Sequence, residues 1–241
     1  MAAATLEGDV PVTAGHRLGR LASRVHAPRH QGSPGRVALG VTAERDTLAI
    51  VPPTYRPDHP APLLVVLHGA GGDGRSALGL LEHVADRTGA IVLAPSSRDR
   101  TWDIIVGHVG SDVALLDRSL AETFDRWVVD PAHVVLAGFS DGASYALTIG
   151  LANGSLFRNV LALSPGFCAP PSHDGRPRVF VSHGVNDTVL PIRTCSRRLV
   201  PQLRTQGYDV TYVEFQDGHV VPPDVIDRAL GWLGLPEKRS R

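Results

Sequence analysis

Hydrophobic residues along this chain follow two alternating patterns. Short apolar runs, most of them bounded by glycine or proline, are typical of β-strands. Between these runs, apolar residues recur every three or four positions, which is typical of helices with one buried side. The runs predict strands at residues 36–41, 46–53, 62–69, 90–97, 133–139, 159–166, 178–184 and 209–215. The periodic segments predict helices at residues 72–89, 111–130, 141–153, 191–207 and 222–234.

The order of these elements predicts an α/β architecture. Strands that alternate with crossover helices form a mostly parallel sheet covered by helices on both faces. No repeat, low-complexity tract or internal boundary interrupts residues 35–241, and we expect them to form a single domain. Residues 1–34 mix glycine, proline, histidine and arginine without a clear period, so we expect a loosely ordered N-terminal segment.

Composition narrows the functional classes. Lys+Arg and Asp+Glu number 24 each among 241 residues, so net charge gives no argument for binding nucleic acid or an anionic membrane. No apolar stretch is long enough to span a bilayer, and no signal peptide is recognisable, so we expect a soluble cytoplasmic protein. Cys168 and Cys195 are too few for a disulfide framework, and two reduced thiols are favoured over one bridge. The sequence leaves the oligomeric state open, a homodimer included.

One polar residue stands where a predicted strand meets a predicted helix. Ser140 is the centre of GFSDG, residues 138–142, which follows a hydrophobic run and precedes an alanine-rich stretch. A turn tight enough to point a side chain out of the sheet crowds its neighbours, and glycines two positions before and after the serine relieve the clash. The hydroxyl then lies at a helix N-terminus, where backbone N–H groups favour developing negative charge. The pattern predicts a nucleophile, the alternative being a glycine-rich turn with an incidental serine.

A serine hydroxyl needs a general base, and the base needs an acid that orients it. In enzymes built on this strand–serine–helix turn, the acid and the base follow the serine along the chain, on loops after later strands. Asp187 follows the strand at 178–184, and His219 follows the last strand. The predicted catalytic residues are therefore Ser140, Asp187 and His219.

Other residues compete less well for these roles. Asp174, in a loop rich in proline and glycine, is the second choice for the acid, and Asp217 is too close in sequence to the predicted base. His183 more simply shapes the turn that carries the acid, and His68 is expected to be a structural hydrogen-bonding residue. The remaining histidines show no spacing typical of metal ligands, and no metal site is predicted.

A glycine-rich segment, HGAGGDG at residues 68–74, follows the buried strand at 62–69. Small residues allow the backbone to approach a substrate oxygen and to direct N–H groups at it. The segment lacks the Gly-Lys-Ser/Thr sequence of a phosphate-binding loop, so a nucleotide site is not expected. We predict an oxyanion hole formed by the N–H groups of Ala70 and Asp141, with Gly71 as the alternative to Ala70.

Four motifs together resemble the α/β-hydrolase superfamily. They are LHGAGG at 67–72, GFSDGA at 138–143, SHGVNDTVLP at 182–191 and DGHVVPP at 217–223. More narrowly, the chain is similar to small bacterial carboxylesterases, which are grouped with phospholipase/carboxylesterases, acyl-protein thioesterases and polyhydroxybutyrate-depolymerase-like esterases. One position departs from this group, because acyl-protein thioesterases usually carry glutamine where this chain has Asp141.

The resemblance implies an α/β-hydrolase fold and a serine carboxylesterase that works through an acyl-enzyme and needs no cofactor. Its partner is then a small-molecule ester. No long insertion after residue 160 leaves room for a large cap domain, so we expect an open site for short-chain or surface-presented esters. The candidate substrate-binding residues are Gly71, Trp102, Phe139 and Phe167, with core packing as the alternative for the tryptophan.

Two rival functions remain open at this point. The chain could hydrolyse thioesters, lysophospholipids or polyesters of the polyhydroxyalkanoate kind. It could also be a binding protein that has the hydrolase fold without catalysis, although the intact order of serine, aspartate and histidine argues against that.

Overall fold

A computed structural model describes residues 10–235 of the chain. Its strands are β1 (Gly35–Ala38), β2 (Leu48–Val51), β3 (Ala61–Leu67), β4 (Ile91–Ala94), β5 (Val129–Phe139), β6 (Asn159–Leu163), β7 (Arg178–Gly184) and β8 (Val210–Phe215). Its helices are α1 (Ala14–Arg17), α2 (Gly74–Thr88), α3 (Ser111–Arg126), α4 (Asp141–Ala152), α5 (Ser196–Thr205) and α6 (Pro223–Leu233). A 3₁₀ helix covers Asp103–Val106. Each strand and long helix predicted from the sequence is present, while α1 and the 3₁₀ helix were not predicted.

The strands form one sheet in the order β1-β2-β4-β3-β5-β6-β7-β8. β2 pairs antiparallel with both β1 and β4, and every other neighbouring pair is parallel. Successive side chains of a strand point to opposite faces, so one strand supplies both cores. In β3, Leu63, Val65 and Leu67 pack with α3, α4 and α5, whereas Leu64 and Val66 pack with α2 and α6. The predicted mostly parallel sheet with helices on both faces is confirmed.

The parallel strands bring distant parts of the chain to one edge of the sheet. β3, β5, β7 and β8 all run in the same direction, so the segments that follow them meet at the carboxyl edge. These segments carry the glycine-rich loop, Ser140, Asp187 and His219. Binding sites of open α/β sheets lie at this edge.

Residues 10–34 differ from the loosely ordered segment that we expected. His16 Nε2 lies 3.0 Å from the Asp117 carboxylate of α3, and the N–H groups of Ala22 and Ser23 donate to the same carboxylate at 3.0 and 2.8 Å. Leu21 is buried in the core beside them. Hydrogen bonds to a distant carboxylate hold this segment, and they leave no periodic signal in the sequence. Residues 1–9 of the expected segment lie outside the described residues.

The two cysteines are free thiols, as the sequence favoured. Burial raises the pKa of the Cys168 thiol to about 12. Between residues 10 and 235, no helix combines the length and the apolar character that crossing a bilayer requires.

Candidate active site

Ser140 occupies the turn between β5 and α4. Its φ of 58° lies in the left-handed region, where a side chain strains the backbone. An added Cβ on Gly138 would lie 2.1 Å from the Gly142 carbonyl oxygen, and one on Gly142 would lie 2.3 Å from the Leu67 carbonyl oxygen. Both glycines are therefore required by close backbone contacts. The N–H of Ser140 donates to the Leu163 carbonyl at 2.9 Å, which anchors the turn to β6.

Ser140, His219 and Asp187 form a continuous chain of hydrogen bonds. Ser140 Oγ lies 2.9 Å from His219 Nε2, and His219 Nδ1 lies 2.6 Å from Asp187 Oδ2. An ionised carboxylate only accepts hydrogen bonds, so Nδ1 carries the hydrogen and Nε2 accepts from the serine hydroxyl. Nε2 of His219 is thus placed to remove the hydroxyl proton.

The Asp187 carboxylate is held by several donors. Its side chain has no exposed surface. Oδ1 accepts the N–H groups of Val189 at 2.9 Å and Leu190 at 2.8 Å. Burial by itself would raise the pKa of Asp187, but the hydrogen bonds from His219 and these N–H groups outweigh it and hold the pKa below its ordinary value. The carboxylate is therefore ionised at neutral pH.

The loops that carry Asp187 and His219 are joined to each other through the backbone. The N–H of Val185 donates to the Phe215 carbonyl at 2.9 Å, and the N–H of Asn186 donates to the Asp217 carbonyl at 3.0 Å. The relative position of the aspartate and the imidazole is consequently fixed by main-chain contacts between two neighbouring loops.

The competing acids do not reach the imidazole of His219. Asp174 accepts hydrogen bonds from the hydroxyl and the N–H of Ser155. Asp217 is exposed, and its carboxylate accepts the N–H of Gly218 at 2.7 Å.

His68 holds the glycine-rich loop. Its Nδ1 lies 2.8 Å from the Gly69 carbonyl oxygen, so Nδ1 carries the hydrogen, and its Nε2 accepts the N–H of Ser97 at 2.9 Å. Burial lowers the pKa of His68. The ring is therefore a neutral hydrogen-bonding group within the loop, which agrees with the expected structural role.

The glycine-rich loop lies against Ser140. An added Cβ on Gly69 would lie 3.3 Å from Ser140 Cβ. Within residues 10–235, neither the Ala70 N–H nor the Asp141 N–H has a hydrogen-bond acceptor. The N–H of Gly71 instead donates to the Arg100 carbonyl at 2.6 Å, so the prediction that Gly71 could replace Ala70 as a donor is wrong.

Trp102 does not line a substrate surface. It has no exposed area, its Nε1–H donates to the His68 carbonyl at 2.9 Å, and its ring stacks on Tyr145 with a centroid distance of 4.8 Å. The prediction of a substrate contact at Trp102 is therefore wrong, and the packing alternative holds. A tryptophan in a loop beside an active site can either line the site or pack in the core. The sequence does not reveal that the N–H of this tryptophan reaches the His68 carbonyl.

The two phenylalanines are accessible. The ring of Phe139 lies 4.7 Å from that of His219 and borders a cavity of about 240 Å³. The other walls of this cavity are Leu67, His68, Gly69, Ala70 and Gly72 and, from α2, Ser76, Ala77 and Leu80. Phe167 is 37% exposed on the loop after β6. Gly71 is exposed but is not one of the cavity walls.

Two side chains near the site gave no signal in the sequence. Arg45, with φ at 52°, donates from Nε to the Ser97 carbonyl at 2.9 Å and from Nη2 to the Gly72 carbonyl at 2.6 Å. Thr101 donates its hydroxyl hydrogen to the Asp141 carboxylate at 2.6 Å. Both act on residues far away in the chain, so only the fold brings them into contact.

Known proteins with sequences or folds similar to this chain are esterases. No protein-family model matches the chain. The probable feruloyl esterase C of Aspergillus oryzae is 30% identical over 157 residues, which cover 61% of this chain and 57% of that protein. The poly(3-hydroxybutyrate) depolymerase of Ralstonia pickettii is 30% identical over 118 residues, which cover 41% of this chain and 24% of that protein. This chain thus spans little more than half of one relative and about a quarter of the other.

A solved structure matches a larger part of the chain. The crystal structure of esterase PE8 superimposes with a TM-score of 0.62 at 28% identity, covering 75% of this chain and 94% of that one. The chain is therefore similar to carboxylic ester hydrolases both in sequence and in fold.

Proposed function

Because the chain has the α/β-hydrolase fold and resembles known esterases, we propose that it is a serine hydrolase that cleaves carboxylic esters through an acyl-enzyme. The observation that carries this proposal is the hydrogen-bonded chain from Ser140 through His219 to Asp187. A hydroxyl, a base and a buried acid in this order are the working parts of a serine hydrolase.

Each group has a defined task in the proposed reaction. His219 Nε2 takes the proton of Ser140 as Oγ attacks the carbonyl carbon, while Asp187 holds the ring and stabilises the imidazolium that forms. The N–H groups of Ala70 and Asp141 bind the oxyanion, since neither is used within the described protein. His219 then protonates the leaving alcohol, and a water molecule repeats the sequence on the acyl-enzyme.

The surroundings of Ser140 favour small ester groups. The cavity beside Phe139 has mostly apolar walls, and neither Ser140 nor His219 is among them, although the ring of Phe139 joins it to His219. Its volume of about 240 Å³ is smaller than the ≈ 300–1,000 Å³ of pockets for drug-sized ligands. It suits a short acyl chain or a small alcohol. The Asp141 carboxylate, held near the site by Thr101, disfavours anionic substrates by charge repulsion.

A panel of substrates with a matched pair of serine variants tests the proposal. The panel holds p-nitrophenyl acetate, a feruloyl ester, an acyl-CoA and a poly(3-hydroxybutyrate) film, because the relatives are named for the second and fourth of these ester types. We expect turnover of the small neutral esters and a loss on the order of 10⁴–10⁶ in kcat for Ser140→Ala. Ser155→Ala, on the surface beside Asp174, should keep full activity.

The outcomes separate the rival functions. Faster turnover of the acyl-CoA or of the film than of the small esters would favour a thioesterase or a polyester hydrolase with the same catalytic residues. A folded protein that turns over none of the substrates would favour a binding protein with the hydrolase fold. Cytoplasmic location and a homodimeric state stay predictions, which cell fractionation and sedimentation would test.

A further inference from the structure

His183 is a fully buried histidine that the proposed mechanism does not use. It is the penultimate residue of β7, directly before the loop of Asp187, and it has no exposed surface. Its Nε2 lies 2.8 Å from the Leu190 carbonyl oxygen and 3.2 Å from Asp187 Oδ2. Its Nδ1 lies 2.7 Å from the hydroxyl oxygen of Ser196, which is also buried, at the start of α5.

These partners settle where the hydrogens lie. The Leu190 carbonyl and the ionised Asp187 carboxylate can only accept, so Nε2 of His183 carries the hydrogen. Nδ1 is then an acceptor for the hydroxyl hydrogen of Ser196. Burial lowers the pKa of His183, which keeps the ring neutral at neutral pH.

The Nε2–H of His183 contacts two oxygen atoms of the loop that carries Asp187. Its shorter contact is with the carbonyl of Leu190, whose own N–H donates to Asp187 Oδ1 at 2.8 Å. The same nitrogen faces Oδ2, which is the oxygen that accepts the Nδ1–H of His219. His183 therefore acts both on the loop that carries the carboxylate and on the oxygen that meets the base.

We propose that His183, held by Ser196, is a positioning residue that fixes Asp187 Oδ2 against His219 and stabilises the carboxylate without adding charge. This inference rests on the proposed esterase function. A cation in the place of His183 would weaken the attraction between Asp187 and the imidazolium that forms at His219. A neutral N–H dipole orients the carboxylate and leaves most of that attraction intact.

Few charged groups lie near His183 and His219. Asp187 lies between them, and Glu214 of β8 stands opposite His183 in the strand register. Glu214 is engaged by Arg197, whose Nη2 lies 2.7 Å from Oε2. The main effect of removing the His183 ring should therefore pass through Asp187 to His219.

The test compares His183→Leu with His183→Gln in pH profiles of kcat and kcat/KM on a small ester. Leucine removes the N–H, whereas the glutamine amide retains a donor near the position of Nε2. For His183→Leu we expect kcat to fall about 10–100-fold with KM unchanged, because the carboxylate is no longer oriented. Because the contact between Asp187 and His219 changes, the acid limb of the kcat/KM profile should also shift by about half a pH unit or more. His183→Gln should recover most of kcat and the wild-type limb.

A buried histidine elsewhere supplies the control. His16→Leu also removes an imidazole from a buried carboxylate, Asp117, but touches no residue of the site. It should lower thermal stability and leave the pH profile unchanged. A His183→Leu protein that is less stable yet keeps the wild-type kcat and acid limb would overturn the inference.

A second variant and the activity of the wild-type protein complete the test. If His183→Leu does not fold, Ser196→Ala is judged by the same criterion: a fall in kcat at constant KM supports the inference, and an unchanged profile overturns it. Wild-type protein that hydrolyses no ester would refute the proposed function, whereas active wild type with unchanged variants would refute only the role of His183.

Discussion

Gly184 is the position at which one added methyl group should separate the base from its acid. The glycine ends β7, and the loop that carries His219 passes directly over it. An added Cβ would lie 2.2 Å from the Gly218 carbonyl oxygen and 2.4 Å from the Asp217 carbonyl oxygen. Both atoms belong to the backbone, so no side chain can rotate away to relieve the overlap.

The size of the effect follows from these distances. Ordinary contact begins near 3.4 Å, so in Gly184→Ala the loop before His219 must retreat by about 1 Å. A displacement of about 1 Å in a catalytic group can lower the rate about 10²-fold. Overpacking of a buried position also costs about 1–3 kcal/mol of unfolding free energy. We therefore expect kcat to fall about 100-fold with a smaller change in KM, and the melting temperature to fall by several degrees.

Steady-state kinetics and urea unfolding measure both effects. Gly79→Ala is the matched control, since Gly79 lies on the exposed side of α2 with no atom within 4 Å of an added Cβ. That variant should keep full activity and gain about 0.5–1 kcal/mol of stability, as alanine is the better helix former. Full activity in Gly184→Ala would mean that the loop of His219 tolerates displacement, and it would refute the argument that main-chain contacts set the site.

Three other experiments test the acid, a buried carboxylate and a buried hydrogen bond. Asp187→Asn should keep the fold and lower kcat about 10⁴-fold, while Asp174→Asn stays active; the reverse result in ester assays would identify a different acid. Burial raises the pKa of Asp112 to about 6, above its value of about 3.9 in the unfolded chain, so its contribution to stability falls as the pH rises from about 4 to 6. Urea unfolding should show the wild-type stability advantage over Asp112→Asn shrinking across that window, and a constant difference would contradict the assigned shift. Trp102→Phe leaves the buried His68 carbonyl without its donor and should cost about 1–3 kcal/mol in the same assay, so an unchanged midpoint would mean that this hydrogen bond is unimportant.

The strands and helices could be predicted from the sequence because buried apolar residues recur with the period of a strand or a helix. The continuous apolar run of β3 faces two cores, and the three-to-four spacing in α3 marks one buried side. The order of Ser140, Asp187 and His219 could also be predicted, since parallel strands deliver successive loops to one edge. That they lie within hydrogen-bonding distance comes only from the structure.

Contacts between distant loops could not be predicted in the same way. Arg45 reaches the Gly72 carbonyl, and Thr101 reaches the Asp141 carboxylate, through side chains that follow no period. The sequence assigned His183 to shaping a turn, but its contact with Asp187 Oδ2 depends on the path of that turn in space. Interactions of this kind are set by loop geometry, which hydrophobic patterning does not encode.

The most direct measurement of the central claim is the site at which a small fluorophosphonate reacts covalently with the intact protein. We predict one adduct per chain, mapped by peptide mass spectrometry to Ser140. The adduct should be absent in Ser140→Ala and should form far more slowly in His219→Asn, because the hydroxyl then lacks its base. Folded wild-type protein that is labelled at another residue, or that remains unlabelled at Ser140 under conditions that label other serine esterases, would contradict the account.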